Sequence, residues 1–421
     1  MPRGFHWLIA AQFCSALADN ALLIVTLAVL HDRQLAPWLA PMLKFGFTLA
    51  YVLLAPFIGP LADAMPKGRL MAWMNGLKLV GAAALLAGLH PVAAFALVGL
   101  GAAAYAPAKY GLVTEIVPPR QLVAANGWLE VAVVVAVLLG TVCGGLLVSQ
   151  GWLRGPAAAL AGAIGAGPLQ VSLAVVMAVY LLAALLNRGV PVSGARYATA
   201  ARQPGRLLGE FRRDNRRLWQ DADGGLSLAV TTIFWGVGAT LQFIVLRWAG
   251  EALGLPLSQA AVLQGVVALG VIVGATIAGR WVPLAAARRM LGFGVLLGLA
   301  MPALAAVHTL ALAVPLLVVA GAAGGLLVVP LNALLQHRGC QLLSAGRSIA
   351  VQGFNENASV LAMLAGYAAL VALDVPLRGL MTGFGLAIAG AITLLWLQSA
   401  RRPSVSAADE QPAAARPRSG R

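Results

Sequence analysis

The sequence contains little charge for its length. Asp, Glu, Lys and Arg make up only 10% of the 421 residues, whereas hydrophobic residues make up 60% and there are 48 glycines. A soluble protein of this length needs more polar surface than so few charges provide. The composition therefore argues against a soluble enzyme and a nucleic-acid-binding protein, and it predicts a chain embedded in a membrane.

Cysteine and catalytic motifs are also scarce. The chain has only Cys14, Cys143 and Cys340, which are far apart and form no CxxC pair, so neither a disulfide framework nor a metal site is expected. It has no P-loop, G-x-S-x-G or H-x-x-x-x-D sequence, which disfavours an ATP-driven pump and a membrane-embedded acyltransferase. We therefore expect a protein that is not an enzyme and that uses no cofactor.

Long apolar runs fill most of the chain. A membrane-spanning helix needs about 20 mainly apolar residues, and twelve runs meet this requirement. They cover residues 7–30, 41–63, 70–89, 92–114, 123–148, 169–187, 226–248, 258–279, 289–307, 310–335, 348–372 and 379–398. The sequence thus predicts an all-α membrane protein with twelve transmembrane helices.

The positive charges indicate how these helices are oriented. Lys and Arg collect in cytoplasmic loops. With the N-terminus inside, 22 of the 29 such residues fall on the cytoplasmic side, eight of them in residues 188–217. Both termini are therefore predicted to be cytoplasmic. Residues 16–18 (ALA) look like a signal-peptide cleavage site, but the apolar run continues to Leu30, which favours a first transmembrane helix.

Weak internal similarity indicates a duplication. Residues 126–130 (NGWLE) match residues 352–356 (QGFNE) at an offset of 226, and two further helix pairs match at offsets of 223 and 221. Duplicated halves are common in transporter folds, so we expect two six-helix halves. The predicted boundaries are 1–187 for the N-terminal half, 188–225 for a cytoplasmic linker, 226–398 for the C-terminal half and 399–421 for a disordered cytoplasmic tail.

The basic linker contains apolar residues at nearly helical spacing, namely Leu207, Leu208, Phe211 and Leu218. This pattern fits an interfacial helix on anionic lipid, and it fits a solvated linker equally well. The sequence leaves both interpretations open.

Six ionisable residues lie within the predicted helices, where charge is costly and usually functional. They are Asp19, Lys44, Lys78, Lys109, Glu130 and Glu356. Lys44 lies near a helix end, where its ammonium can reach the interface. Asp19 is near mid-span, and Pro107 two residues before Lys109 favours a cavity-lining position for that lysine. We expect Asp19 and Lys109 to contact the substrate.

The other three buried charges have two interpretations each. Glu130 and Glu356 follow Asn126 and Gln352 by one helical turn, so they serve either the substrate or a polar lock between helices. Lys78 follows an asparagine by one turn in the same way. The sequence does not separate a binding role from a structural role for these residues.

The loop between the second and third predicted helices, from Gly59 to Arg69, reads GPLADAMPKGR. It resembles the G-x-L-A-D-x-x-x-x-G-R signature of the major facilitator superfamily. The resemblance implies a conformational latch formed by Gly59, Asp63, Gly68 and Arg69. Gly59 would permit close helix contact, and Asp63 would cap the start of helix 11 and pair with Arg69.

Longer blocks resemble one branch of that superfamily, the bacterial lysophospholipid transporters. These blocks include residues 18–23 (ADNALL), 75–79 (NGLKL), 101–111 (GAAAYAPAKYG), 329–336 (VPLNALLQ) and 352–357 (QGFNEN). The resemblance implies a flippase that moves lysophosphatidylethanolamine and related lysophospholipids from the outer to the inner leaflet of the bacterial inner membrane by alternating access. It also implies functional coupling to an acyltransferase/acyl-carrier-protein synthetase that re-acylates the product.

The resemblance and the polar chemistry together give a set of expected substrate-binding residues. They are Asp19, Asn20, Lys78, Tyr105, Lys109, Glu130, Gln242 and Glu356. A phosphate would bind a lysine, and an ammonium would bind Asp19 or an aromatic face such as that of Tyr105. Gln242 stands at a position that looks like an arginine in relatives, which leaves a second cation for the phosphate unmatched. The alternative function is a proton-coupled drug or metabolite antiporter with Asp19 as proton carrier.

Overall fold

The computed structural model describes residues 1–2, 4–36, 38–195, 197 and 203–400, so the predicted tail from residue 401 lies outside the described residues. Within this part of the chain the secondary structure is helical, without strands. The α-helices are α1 (Phe5–Asp32), α2 (Leu39–Ala64), α3 (Lys67–Leu86), α4 (Pro91–Ile116), α5 (Leu122–Leu147), α6 (Gln150–Arg154), α7 (Pro156–Ile164), α8 (Pro168–Leu186), α9 (Pro204–Gln220), α10 (Ala222–Leu253), α11 (Leu257–Trp281), α12 (Leu291–Ala305), α13 (Leu310–Leu342), α14 (Ala345–Ala372) and α15 (Leu377–Ala400).

Each predicted span has a counterpart among the longer helices, which are α1 to α5, α8 and α10 to α15. Ten of the described helices are long and apolar enough to cross a membrane. The other two, α3 and α14, carry more polar residues, such as Lys78 in α3 and Glu356 in α14. The chain is a multi-pass, all-α membrane protein, with six such described helices before α9 and six after it, which confirms the predicted fold class.

Glycines permit close packing between helices of the same half. A Cβ atom on Gly140 or Gly144 of α5 would meet backbone atoms of α1. A Cβ atom on Gly270 or Gly274 of α11 would likewise meet the backbone of α13. Small residues let membrane helices approach closely enough for extensive van der Waals contact, so these glycines hold each half together.

Each half has its own apolar core. Leu22 belongs to a cluster formed by α1, α2, α3, α4 and α8, and Trp248 belongs to one formed by α10, α11, α12, α13 and α15. A third cluster joins the halves, since it contains both Leu129 of α5 and Leu331 of α13.

The linker forms a helix, α9, whose buried residues contact protein. Phe211 and Leu218 lie in a cluster with Ala55 of α2 and with residues of α10, α13 and α14. The Phe211 ring meets the Phe354 ring edge-on, with centroids 5.2 Å apart. The exposed side of α9 carries arginines, including Arg213. The amphipathic pattern of the linker therefore reflects docking against the helix bundle.

Polar side chains join α9 to α14. Arg347 Nη2 of α14 lies 2.7 Å from Glu210 Oε2, and Arg347 Nη1 lies 3.4 Å from Asp214 Oδ2. Asn355 Nδ2 of α14 donates a 2.8 Å hydrogen bond to Asn215 Oδ1, and Trp219 Nε1 donates one of 3.1 Å to Asn355 Oδ1. Within the described part of the chain, no hydrogen bond or ion pair joins α9 to a helix of the first half.

The helix α10 begins at Ala222, inside the linker that was predicted to end at residue 225, because Asp221 caps it. Asp221 Oδ1 accepts hydrogen bonds from the backbone N–H groups of Asp223 and Gly224 at 3.1 and 2.8 Å. Arg338 Nη2 of α13 lies 2.8 Å from Asp221 Oδ2. Burial alone would raise the pKa of the Asp221 carboxyl, but these hydrogen bonds outweigh burial and lower it.

The two halves are in contact at the end of the bundle where α9 lies, here called the α9 end. A Cβ atom on Gly59 of α2 would lie only 2.9 Å from Arg347 Cα of α14. A Cβ atom on Gly127 of α5 would lie 2.8 Å from Ala275 O of α11. The fully buried residues of α14 fall within 345–352, and the helix becomes more exposed beyond them. The bundle is thus closed at the α9 end and more accessible towards the opposite end.

Candidate functional site

Asp19 of α1 is paired with Lys78 of α3. Lys78 Nζ lies 2.7 Å from Asp19 Oδ2 and donates a second hydrogen bond of 2.9 Å to Ser15 Oγ. The Tyr180 hydroxyl of α8 donates to Asp19 Oδ1 at 2.8 Å, and the Ser15 hydroxyl donates to Asn75 Oδ1 at 2.7 Å. Both carboxylate oxygens of Asp19 are therefore engaged, and one polar network joins α1, α3 and α8.

This network gives Asp19 and Lys78, both expected to bind substrate, a structural role. Lys78 is only 2% exposed, so Asp19 neutralises a cation that is almost completely removed from solvent. Removing one partner of a buried ion pair typically costs about 3–5 kcal/mol, because the other charge is left uncompensated. The pair therefore has a structural function.

Lys109 of α4 has no such partner among the described residues. Its side chain is 6% exposed, and its ammonium lies 4.0 Å from the centroid of the Tyr110 ring. It makes no hydrogen bond or ion pair with any described residue, although Glu130 and Asp19 are within electrostatic range. A buried ammonium without a carboxylate is costly, so Lys109 is well placed to attract an anion.

Two carboxylates from opposite halves lie in the same region. Glu130 of α5 is 8% exposed and, like Lys109, forms no ion pair with a described residue. Glu356 Oε1 of α14 accepts a 2.8 Å hydrogen bond from Gln352 Nε2, and Thr231 of α10 lies against the Glu356 carboxyl. The carboxyls of Glu130 and Glu356 are within electrostatic range of each other. The region thus draws charged groups from both halves.

Amide side chains join helices beside these carboxylates, both between the halves and within the second half. Asn126 of α5 and Gln336 of α13 exchange two hydrogen bonds of 2.9 and 2.8 Å. Gln352 of α14 donates a 2.5 Å hydrogen bond to Asn332 of α13. The polar lock between helices is therefore built from amides together with the Glu356 carboxylate, and the Glu130 carboxylate takes no described part in it.

The remaining expected binding residues form no described hydrogen bond with Lys109. The Asn20 side chain donates to a carbonyl one turn back on its own helix at 2.8 Å. The Tyr105 ring faces Lys78, whose ammonium is 5.3 Å from the ring centroid. Gln242 of α10 is exposed, its backbone oxygen accepts a 2.6 Å hydrogen bond from Gln264, and it lines an apolar cavity within the second half. No described contact joins Gln242 to either lysine.

Sequence reasoning missed three residues that surround the lysines, namely Ser15, Tyr110 and Tyr180. Tyr180 is a polar group within the apolar run of α8, and Ser15 precedes Asp19 by one helical turn. These are the signals that could have identified them, since polar groups in a membrane helix tend to face a partner.

At the α9 end, Asp63 of α2 caps the start of α14. Asp63 Oδ1 accepts a 2.8 Å hydrogen bond from the Gly346 backbone N–H, and Asp63 Oδ2 accepts one from the Ser344 hydroxyl. The cation beside Asp63 is Lys67, with its Nζ 3.7 Å from Oδ1, whereas the expected partner Arg69 is exposed. This corrects the expected ion pair: Lys67 is the first residue of α3 and lies one turn after Asp63, so it reaches the carboxylate.

Lys67 also belongs to a second network. Its Nζ lies 2.5 Å from Glu115 Oε1 of α4, and the Tyr197 hydroxyl donates to the same oxygen at 2.8 Å. Burial raises the pKa of the Tyr197 hydroxyl well above its ordinary value, helped by the nearby Glu115 carboxylate, so the hydroxyl stays a donor. A Cβ atom on Gly68 would lie 3.3 Å from Val190 Cβ, which leaves little room in this loop.

Comparisons with known proteins agree with this architecture. The model of the Major Facilitator Superfamily matches residues 8–367. The chain is 41% identical over 377 residues to the lysophospholipid transporter LplT of Yersinia enterocolitica and to that of Yersinia pestis, with 89% of each chain covered.

Solved structures of transporters share the fold. The human organic anion transporter MFSD10 (TETRAN) superposes with a TM-score of 0.73 at 14% identity, covering 95% of this chain and all of that one. The Escherichia coli fucose:proton symporter FucP superposes with a TM-score of 0.70 at 16% identity, covering 94% of this chain and 97% of that one. At these identities the likeness shows the fold alone.

Proposed function

Because the chain belongs to the major facilitator superfamily and, within it, to the lysophospholipid transporter family, we propose that it moves lysophospholipids across the membrane by alternating access. The substrate class follows from the relatives, and lysophosphatidylethanolamine is its zwitterionic member. Transport runs from the outer to the inner leaflet of the bacterial inner membrane. There an acyltransferase/acyl-carrier-protein synthetase restores the second acyl chain.

The α9 end faces the cytoplasm in this proposal. Arginines cover the exposed side of α9, and Lys and Arg collect on the cytoplasmic side of membrane proteins. Both termini then lie in the cytoplasm as well. The closed α9 end corresponds to an outward-facing state, from which lysophospholipid of the outer leaflet enters.

The head group binds between Lys109 and Glu130. The observation that carries this proposal is that these two buried, oppositely charged groups lie within electrostatic range and yet form no ion pair with each other or with any described residue. A phosphoethanolamine head group carries both charges, so its phosphate can bind Lys109 while its ammonium binds Glu130. Charge-assisted hydrogen bonds of this kind are about twice as strong as neutral ones.

Asp19 and Lys78 act as the scaffold of this site. Their pair fixes α1 against α3, and Tyr180 extends the network to α8. Lys78 is within electrostatic range of Lys109. Because Asp19 neutralises the Lys78 ammonium, the phosphate of the head group binds Lys109.

The contacts at the α9 end form the latch of the cycle. Gly59 lets α2 lie against α14, and Asp63 holds the first turn of α14 through the Gly346 N–H. Both contacts join the two halves, so they stabilise the outward-facing state. Opening this end for release of the lipid requires that they break.

The decisive experiment is uptake of labelled lysophosphatidylethanolamine by spheroplasts that retain the acyltransferase, with and without this protein. Re-acylated product is expected only when the protein is present, and equal product in both would refute lipid transport. Lys109→Gln is expected to abolish transport, whereas Lys44→Gln is the matched control because Lys44 is exposed. Proton release on addition of drugs to purified protein would instead support the antiporter.

A further inference from the structure

A groove of about 250 Å³ lies between the two halves, where α5 meets α11. Small residues line it on both helices, namely Ala124 and Gly127 of α5 and Ala275 and Gly279 of α11. A Cβ atom on Gly127 would lie only 3.2 Å from Gly279 Cα, so the two backbones approach closely here. The groove therefore takes its walls from both halves, and it keeps this form only while α5 and α11 stay together.

The groove opens on the outer surface of the bundle, at the α9 end. Trp128 of α5 and Arg280 of α11 line it and are exposed. The lining residues fall within about the first three turns of α5 and about the last two turns of α11. Trp side chains such as those of Trp128 and Trp281 collect where a membrane meets water. With the orientation proposed above, the groove thus lies at the depth of the head groups of the cytoplasmic leaflet.

The groove carries positive charge, and no carboxylate lines it. The guanidinium carbon of Arg280 lies 5.7 Å from the centroid of the Trp281 ring. Arg280 forms no hydrogen bond or ion pair with any described residue. Its guanidinium is therefore available to an anion that reaches the groove from the membrane.

Two further arginines, Arg120 and Arg289, lie in short 3₁₀ helices, Pro119–Gln121 of the first half and Leu284–Met290 of the second. These two short helices contact each other, and they adjoin the groove because the first directly precedes α5 and the second follows α11 by two residues. Both arginines are exposed and, within the described part of the chain, have no ion-pair partner. Positive charge from both halves thus meets where α5 and α11 end.

We propose that the groove binds an anionic phospholipid of the cytoplasmic leaflet, which acts as an effector and is not transported. A phosphate accepts two parallel hydrogen bonds from one guanidinium, so Arg280 is suited to the head group. The acyl chain lies along the small residues beside Trp128. Each arginine near an anionic membrane surface strengthens attraction about fivefold, whereas these arginines repel the ammonium of a zwitterionic head group. The site therefore favours phosphatidylglycerol over phosphatidylethanolamine.

Such a lipid favours the closed α9 end. Separation of the halves at this end takes the two walls of the groove apart, so the lipid binds the closed conformation better. A ligand that binds one conformation better shifts the equilibrium towards it. The lipid phosphate also screens the repulsion between Arg120 of one half and Arg280 of the other. The inference goes beyond the proposed function and takes from it only the orientation of the α9 end.

Binding of phosphatidylglycerol to the full-length protein tests the assignment. Native mass spectrometry counts bound lipid while protein in micelles is titrated with phosphatidylglycerol or phosphatidylethanolamine. Arg280→Gln is expected to weaken phosphatidylglycerol binding about tenfold to a hundredfold, because a charged hydrogen bond to phosphate is lost. Arg213→Gln is the matched control, since Arg213 is also exposed at the α9 end but lies on α9. Equal losses in the two variants, or equal binding of the two lipids by the unmodified protein, would overturn the site.

Filling the groove gives a second test that keeps its charge. Thr276 of α11 lines the groove, and its hydroxyl donates only to the Ile272 carbonyl of its own helix. Thr276→Phe is expected to weaken phosphatidylglycerol binding about tenfold, because its ring displaces about two methylenes at about fourfold each. Thr141→Phe of α5 is the matched control, since Thr141 is also exposed and donates to the Val137 carbonyl in the same way. Unchanged binding in Thr276→Phe would overturn the assignment.

The effector role is tested by maleimide labelling of Cys340 in nanodiscs, with the other two cysteines replaced by serine. Cys340 of α13 lies near the Glu115 carboxyl of α4, where the halves meet at the α9 end. Phosphatidylglycerol is expected to slow labelling of the unmodified protein and to leave Arg280→Gln unaffected, and equal rates with and without it would overturn the role. Displacement of bound phosphatidylglycerol by lysophosphatidylethanolamine would also overturn it, since the groove would then belong to the substrate path. These measurements need no transport, so failure of the proposed function would not change them.

Discussion

Replacing the two buried lysines of the first half should give opposite results. Lys78 is bound to Asp19 and Ser15, whereas Lys109 has no anionic partner among the described residues. Both side chains are almost fully buried, at 2% and 6% exposure. Lys→Met substitutions remove the charge and keep most of the side-chain volume, so the two variants isolate the effect of the partner.

The expected magnitudes follow from these contacts. Lys78→Met leaves the Asp19 carboxylate, whose side chain is 18% exposed, without a counter-ion, which should lower the free energy of unfolding by about 3 kcal/mol, the lower end of the range for buried pairs. Lys109→Met removes an uncompensated charge and should leave thermal stability unchanged or raise it. The same substitution loses a charged hydrogen bond to phosphate of about 1.5–3 kcal/mol, which weakens lysophospholipid binding about tenfold to a hundredfold.

The assay measures thermal unfolding in detergent and lipid binding for both variants. Lys78→Met should lose stability and regain part of it when Asp19→Asn is added, because the uncompensated charge is then removed. Lys109→Met should keep its stability and lose binding. A strong loss of stability in Lys109→Met would refute the reasoning, since it would require a partner for this ammonium.

Two further predictions concern the contact between the halves. Gly59→Leu should force α2 away from α14 at a cost of about 1–3 kcal/mol and open the α9 end. The assay is maleimide labelling of Cys340 in a protein whose other two cysteines are replaced by serine. Labelling should be faster in Gly59→Leu than in the control Gly76→Leu, because a Cβ atom on Gly76 meets nothing within 4 Å. An unchanged rate would contradict this prediction. Asn126→Leu or Gln336→Leu alone should cost about 1–3 kcal/mol by leaving a buried amide unpaired, while the double variant should recover much of that loss, and strictly additive losses would argue against a direct bond.

The helices could be predicted from the sequence because each one is encoded by a continuous run of its own residues. Twenty apolar residues between polar breaks are sufficient to define a membrane helix, and all twelve predicted spans have counterparts. The start of α10 was placed too late because the Asp221 cap lies among polar linker residues, where hydropathy gives no signal. For α9, the same amphipathic pattern fits lipid and protein, and only the packing of Phe211 and Leu218 separates the two.

The pairing of the buried charges could not be predicted in the same way. The position of a residue along its helix gives its depth, but the direction in which its side chain points depends on how the helices pack. Asp19 and Lys109 have suitable depths for a common site, yet Asp19 faces Lys78. Similarly, Lys67 and Arg69 are two residues apart, and the point where α3 begins decides which one reaches Asp63.

The docking of α9 determines which half carries it during a conformational cycle. Its described hydrogen bonds and ion pairs go to α14, and Asp221, which follows it directly, is bound to Arg338 of α13. Its described contacts with the first half go to α2, where Ala55 belongs to the same apolar cluster and Pro56 and Pro60 lie nearby. Any motion that separates α2 from α14 would therefore leave α9 on the second half and uncover only the part of its apolar side that faces α2, because Phe211 and Leu218 also pack on α10, α13 and α14. Helix α9 thus moves with the second half, to which polar bonds attach it, and parts from α2 by loss of apolar contact.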